Sequence, residues 1–312
     1  MFSRELELRG RAFVNYGALA QVEVKDMTID GFPAKLFFNP ARVRSVMADV
    51  SPEALQKRAC FLCPEGLESL QLTTVWDSPT GQTYFIRVNP FPIFNHHFTI
   101  SSSIHERQTF APHMESMLHL AEAMPEMSIF YNGPMCGASA PDHMHFQAVP
   151  RHSMPIEDHF DTNYANAVLV QESDLQSHLT ALEKVLSMAS IPENASQTGS
   201  LTAGASHTEE WEPRWNIISW YEPESNSPQD GLTATSGLTS NSRRRSFNTI
   251  VFFRRESRPQ CFFAPENERI LFSPGTVEMG GIGIVANQES FDRITPKVLR
   301  SMIQEVADTL CP

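Results

Sequence analysis

An α+β fold built from two related lobes, each an antiparallel sheet with packed helices, is predicted by three features of the 312-residue sequence. Short alternating or β-branched segments recur along the whole chain. Turn residues punctuate them. In both halves, helical apolar periodicity accompanies the strand-like segments. The expected division is 1–165 and 166–312, although no internal repeat shows by residue identity.

Residues 20–39 read as a hairpin, because alternating segments flank Asp30-Gly31, a pair that tolerates the positive φ of a tight turn. YFIRV (84–88) and HFTIS (97–101) read as strands joined by NPFPIFNH. A helix is expected from His113 to Met124, where Met114, Met117, Leu118, Leu120 and Ala121 repeat at near-helical spacing. MSIFYN (127–132) and HMHFQAV (143–149) complete the first sheet. The second half opens with a helix from Asp174 to Met188, striped by Leu175, Leu179, Leu182 and Leu186. Residues 195–209 and 223–244 are rich in Ser, Thr, Gly and Asn and lack periodicity, so mobile loops are expected there. WNIISWYE (215–222), FNTIVFFRR (247–255), QCFFA (260–264), RILFS (269–273) and GIGIVA (281–286) read as strands, and a last helix runs from about Pro296 to Leu310.

A formal net charge of -12 offers no general attraction to a polyanion, so nucleic acid is excluded as the main partner. A few arginines or backbone N–H groups can still hold a phosphorylated small molecule. The N-terminal MFSRELELRGRAF is broken by charges, and no apolar run approaches the length that crosses a bilayer. A cytoplasmic protein without a membrane partner is expected. Among five cysteines, Cys60 and Cys63 form a Cys-x-x-Cys pair, which in a reducing compartment points to metal ligation or redox work.

The most informative stretch ends in His143-Met144-His145-Phe146-Gln147. Extended geometry sends His143, His145 and Gln147 to one face. The preceding Gly137-Ala138-Ser139 can bring backbone N–H groups and a hydroxyl to an anion. A tetrahedral zinc site needs four ligands, which Cys60, Cys63, His143 and His105 can supply; His105 follows the strand HFTIS, whereas His96 and His97 lie toward its other end. Against this stand plainer readings: two sheet histidines with an edge glutamine, and two reduced thiols in a turn. Arg254, Arg255 and Arg258 are candidates for a phosphate clamp or for a solvated turn, and Arg42 and Arg44 share that ambiguity. Arg243 to Arg245 read as part of a Ser-rich loop.

CFLCPEG (60–66), VNPFPIFNHHFTI (88–100) with His105, YNGP (131–134), GASAPDHMHFQA (137–148), TIVFFRRESRPQCFF (249–263) and SPGTVEMGGIGIV (273–285) touch both halves of the chain. Together they resemble the histidine-triad superfamily, in the branch of galactose-1-phosphate uridylyltransferase, dinucleoside polyphosphate phosphorylases and GDP-hexose phosphorylases. Bacterial proteins with the same NPAR and CFLC strings are more similar still.

The resemblance implies two histidine-triad-like lobes, of which the second lacks the catalytic motif. It makes His145 the nucleophile of a covalent nucleotidyl intermediate and Gln147 the residue that holds its phosphoryl oxygens. It implies a structural zinc ion on Cys60, Cys63, His105 and His143, phosphate contacts from Asn132 and Ser139, and a nucleotide contact from Asn89. Asp142 departs from the pattern as an extra residue between Pro141 and His143.

The expected activity is nucleotidyl transfer or phosphorolysis. Its substrate would be a nucleoside diphosphate sugar (GDP- or UDP-hexose) or a dinucleoside polyphosphate, and its acceptor phosphate or a sugar phosphate. The alternatives are a nucleotide hydrolase of the same fold and a non-catalytic nucleotide-binding zinc protein. A glutamine rather than a third histidine favours transfer, since an amide donates a hydrogen bond but does not titrate near neutrality. Relatives commonly pair, which leaves a homodimer open.

Overall fold

The computed structural model describes residues 10–43, 47, 50–63, 73–189, 212–224 and 244–308. Arg44, Arg243, residues 195–209 and most of 223–244 lie outside this set. The fold is α+β, with a large antiparallel sheet, a small mixed sheet and packed helices. No helix among the described residues is long and apolar enough to cross a membrane.

β1 (Glu23–Ile29) and β2 (Phe32–Phe38) form the expected hairpin. Asp30 (φ 49°) and Gly31 (φ 93°) both adopt the left-handed conformation that a two-residue turn between twisted strands requires. The other described strands are β3 (Thr73–Asp77), β4 (Thr83–Val88), β5 (Phe98–Ser102), β6 (Met127–Asn132), β7 (His145–Pro150), β8 (Ala167–Glu172), β9 (Trp215–Glu222), β10 (Ser246–Phe253) and β11 (Ile282–Val285). Their order is β3-β4-β5-β7-β6-β9-β10-β8 in one eight-stranded antiparallel sheet, while β11 joins β2 in parallel to make a three-stranded one. Strands from both halves therefore share one sheet, and they meet where β6 pairs with β9.

Two apolar layers sandwich the large sheet. On one face, Met144, Phe146 and Ala148 of the β7 region pack with Met117, Leu118 and Ala121 of the helix Met114–Ala123 and Leu179 and Leu182 of the helix Leu175–Leu186. On the other, Val149, Phe130, Ile218 and Ile250 meet the small sheet and the helix Pro296–Val306. Alternation along β7 puts His145 and Gln147 on this second face, opposite Ser101 and Thr99 of β5.

Two expected strands are absent. Gln260–Phe262 is a 3-10 turn, and 269–273 joins no ladder. Pro259 and Pro265 set turns there. The carbonyls of Glu268 and Arg269 accept from the Arg293 guanidinium, so these backbone groups are satisfied without a neighbouring strand. Ile270 and Phe272 are still buried, which explains why their pattern resembles a strand.

Loop 133–144 approaches the 273–275 segment of the second half so closely that a Cβ on Gly137 would lie 2.8 Å from the Gly275 Cα. Gly137 also has φ +94°. Gly137→Ala should cost about 2–4 kcal/mol, from left-handed strain plus overpacking, and thermal denaturation reads it. An unshifted melting temperature would remove this contact from the fold.

Candidate functional site

His145 stands at the start of β7 with only 5% of its surface exposed. Its Nδ1 lies 2.9 Å from the carbonyl oxygen of His143. A carbonyl only accepts, so Nδ1 carries the proton and Nε2 is left with its lone pair. Burial pushes the imidazole down to about 4, outweighing the bond to the His143 carbonyl. Its backbone is held by Gln108, whose Oε1 accepts from His145 N (2.8 Å) and whose Nε2 donates to His145 O (2.9 Å) and Asn132 O (3.0 Å).

Gln147, two residues on, is oriented by an unforeseen neighbour. Ile93 N donates to His97 Nδ1 (3.1 Å), so His97 carries its proton on Nε2 and donates it to Gln147 Oε1 at 2.8 Å. Asn89 Nδ2 donates to the same oxygen (3.3 Å). With its oxygen so engaged, the Gln147 carboxamide is left with an NH2 end that has no acceptor among the described residues, on the strand face it shares with His145. Burial pushes His97 down to about 3, assisted by the Arg42 charge, so the ring stays neutral.

The ligand atoms of Cys60, Cys63, His105 and His143 all lie within 4.8 Å of one another. His143 Nδ1 is 3.3 Å from Cys60 Sγ and 3.5 Å from Cys63 Sγ, while His105 Nδ1 is 3.2 Å from Cys63 Sγ. A tetrahedral zinc ion, with bonds of roughly 2.3 Å to sulfur and 2.0–2.1 Å to nitrogen, separates S and N ligands by about 3.6 Å. The donor set and spacing fit such an ion. His143 Nε2 donates to Ser102 O (2.9 Å), which turns its bare Nδ1 toward the thiols. Burial raises the Cys60 thiol, but bonds from His143 and from the Leu62 and Cys63 backbone outweigh it and bring it to about 6. The extra Asp142 accepts from Arg58 Nη2 at 2.6 Å, stitching the Cys60 segment to the residue before His143.

The remaining candidates separate into two groups. Ser139 is half-buried in the loop before β7, and Arg258 donates to Ser273 Oγ (3.0 Å) beside the segment that meets Gly137. Asn132 and Arg254 are tied into protein. Asn132 Oδ1 accepts from Thr276 N, Thr276 Oγ1 and Asn216 Nδ2 at 2.7–2.9 Å. Arg254 is 2% exposed, and its terminal nitrogens donate to Asn216 Oδ1, Pro274 O, Glu256 O and Ser257 O. In this geometry it departs from the expected phosphate clamp. A guanidinium following a strand looks the same in sequence whether it turns outward or, as here, into carbonyl-lined protein.

Glu212 supports the site from the opposite face. It accepts from Tyr131 Oη, from Trp215 Nε1 (3.1 Å) and from Phe110 N (2.7 Å). Burial outweighs these three donors and lifts its carboxyl from 4.5 to about 7. The proton it holds stabilises the fold fully below pH 4.5, and that contribution is lost as pH rises through about 7. Melting temperature should therefore fall from about pH 5 to pH 8, by about 3 kcal/mol of stability at most, with a flatter slope in Glu212→Gln. Equal slopes in the two proteins would refute this assignment.

A family model described as "Domain of unknown function (DUF4922)" matches residues 1–150. No curated protein matches the chain in sequence. In three dimensions the chain is similar to a class of solved phosphorylase structures. These are crystal structures of yeast Ap4A phosphorylase Apa2. The first is 14% identical with a TM-score of 0.51, covering 95% of this chain and 93% of that one. Its complex with Ap4A is 13% identical with a TM-score of 0.52, covering 95% and 96%, and its complex with AMP is 13% identical with a TM-score of 0.50, covering 97% and 96%. At these identities the likeness establishes the shared fold.

Proposed function

We propose that the chain is a nucleotidyltransferase of the phosphorylase type. It would take a nucleoside diphosphate sugar or a dinucleoside polyphosphate and pass the nucleotidyl group to phosphate or a sugar phosphate through His145. The observation that carries this reading is the His145 tautomer, with Nδ1–H spent on the His143 carbonyl and the Nε2 lone pair left over, on the strand face that Gln147 shares. Nucleotidyl transfer asks a protein mainly for in-line positioning and for donors aimed at the phosphoryl oxygens.

In the first step Nε2 attacks the α-phosphorus, forming an N–P bond as the bridging P–O bond breaks. The bond's electron pair leaves with the sugar phosphate or nucleoside polyphosphate. In the second step an oxygen of the acceptor attacks the same phosphorus, and the N–P electrons return to the imidazole. Gln147 donates to the non-bridging oxygens throughout, and Asn89 steadies both Gln147 and the nucleoside. Ser139 and Arg258 extend the phosphate site, while Asn132 and Arg254 shape it from behind. The 1–165 portion thus supplies the chemistry, and 166–312 supplies β9, β10 and the 273–275 segment that frame it.

The cluster on Cys60, Cys63, His105 and His143 is proposed to hold zinc, which suits mixed thiolate and imidazole donors. With four protein ligands such an ion would have no open position and would supply structural fixation of β7 and the Cys-x-x-Cys loop.

Incubation with GDP-hexose, UDP-hexose and dinucleoside polyphosphates, with and without inorganic phosphate, tests the reading. Phosphate-dependent release of nucleoside diphosphate, with a nucleotidyl mass adduct on His145, is expected. Phosphate-independent release of monophosphate would make it a hydrolase, and binding without adduct or turnover would make it a nucleotide-binding zinc protein.

A further inference from the structure

We propose that Arg87 reads the nucleobase, selecting bases that present carbonyl oxygens (guanine and uracil) over those that present an amino group there (adenine and cytosine). The inference rests on the nucleotide reading above and deepens it.

Register places Arg87 in the site. In β4 it lies opposite Thr99 of β5, which lies opposite Gln147 of β7, so the three share one row on the His145 face. Strands about 4.8 Å apart set Arg87 roughly 10 Å from β7, leaving room for ribose and base between it and a phosphorus at His145. The side chain is 4% exposed and tightly held. Nε donates to Thr73 Oγ1 (3.0 Å), and Nη1 donates to Leu62 O (3.1 Å) and Ser101 Oγ (3.0 Å). The guanidinium carbon sits 4.7 Å from the centre of the Phe85 ring.

These bonds make Arg87 a strut between the Cys-x-x-Cys loop and the strand beside His145, but they leave one corner over. Among the described residues Nη2 has no hydrogen-bond partner, and it is not sealed from solvent. Two N–H bonds in a fixed plane are therefore offered on the catalytic face.

The surroundings decide what they meet. The Phe85 ring flanks the guanidinium with aromatic surface, which suits a planar base better than a hydrated phosphate. The phosphoryl group already has the Gln147 amide. Guanine O6 and N7 and the uracil carbonyls accept from arginine, whereas the adenine and cytosine amino groups set donor against donor. A lysine would keep the charge and lose the planar fork.

Calorimetric binding of GMP, UMP, AMP and CMP to the zinc-loaded full chain, as wild type, Arg87→Met and Arg87→Lys, tests this. Wild type is expected to favour GMP or UMP by about tenfold or more. Arg87→Met should weaken that base roughly ten- to hundredfold and leave AMP and CMP little changed, as loss of a charged hydrogen bond implies. Arg87→Lys should fall between. The ratio between bases within one variant is independent of the folded fraction, so partial unfolding does not mimic the result. Equal weakening of all four nucleotides, or a wild-type preference for AMP, would overturn the proposal. Binding of none of the four would overturn it together with the nucleotide reading. A His145 adduct with an unchanged base ratio in Arg87→Met would overturn it alone.

Discussion

Replacing His145 by alanine is expected to reduce turnover by about 10⁴-fold or more while leaving melting temperature and zinc content close to wild type. The rate effect follows from removing the atom proposed to form the covalent intermediate; the Gln147 amide could stabilise charge but could not replace the nucleophile. The small stability effect follows from how the residue is anchored. Gln108 grips the backbone N–H and carbonyl of His145, not its ring, so the start of β7 stays in register without the imidazole. Among the described residues only the His143 carbonyl loses a donor, at about 1 kcal/mol. Steady-state rates and intact-mass detection of the adduct check both halves of the expectation. A variant with more than a few per cent of wild-type activity, or one that still carries the adduct, would end the proposed mechanism.

Cys63→Ser is expected to bring zinc stoichiometry down from one ion per chain toward none and to cost more than about 4 kcal/mol of stability. Cys63 Sγ stands near the imidazoles of both His105 and His143, so removing it opens two edges of the cluster at once. Activity should fall as well, because the His143 carbonyl that fixes the His145 tautomer belongs to a residue the ion would hold in place. Chelating zinc from wild type should reproduce the loss. Added zinc should restore wild type and leave the variant impaired. Elemental analysis alone can refute the assignment: unchanged stoichiometry in Cys63→Ser would mean that the thiol is not a ligand.

Much of this architecture was legible in local pattern. Asp30-Gly31 between alternating segments specifies its hairpin through backbone sterics alone, and the alternation from His145 to Gln147 specifies their common face. What local pattern does not carry is partner choice over long separations. Nothing around Gln108 announces that it will clasp the backbone of a residue 37 positions away, and β6 could not be assigned to β9 from either strand. His97 sits inside a recognised motif, yet its part depends on an N–H four residues earlier fixing its tautomer. Arg254 shows the converse difficulty: a charge that reads as a phosphate clamp or a solvated turn is absorbed by carbonyls that only the folded chain brings together. The 269–273 segment misleads because it buries alternate side chains with no strand beside it.

The β6–β9 seam has a practical consequence for anyone cutting the protein in two. A fragment ending near residue 165 would keep every proposed catalytic and metal-binding side chain of the first half, yet β6 would lose the neighbour that its outer edge bonds along Ile129 to Asn132. Bare strand edges recruit other chains. Such a fragment would be expected to self-associate, which makes the second half a guard against aggregation as well as a frame for the site.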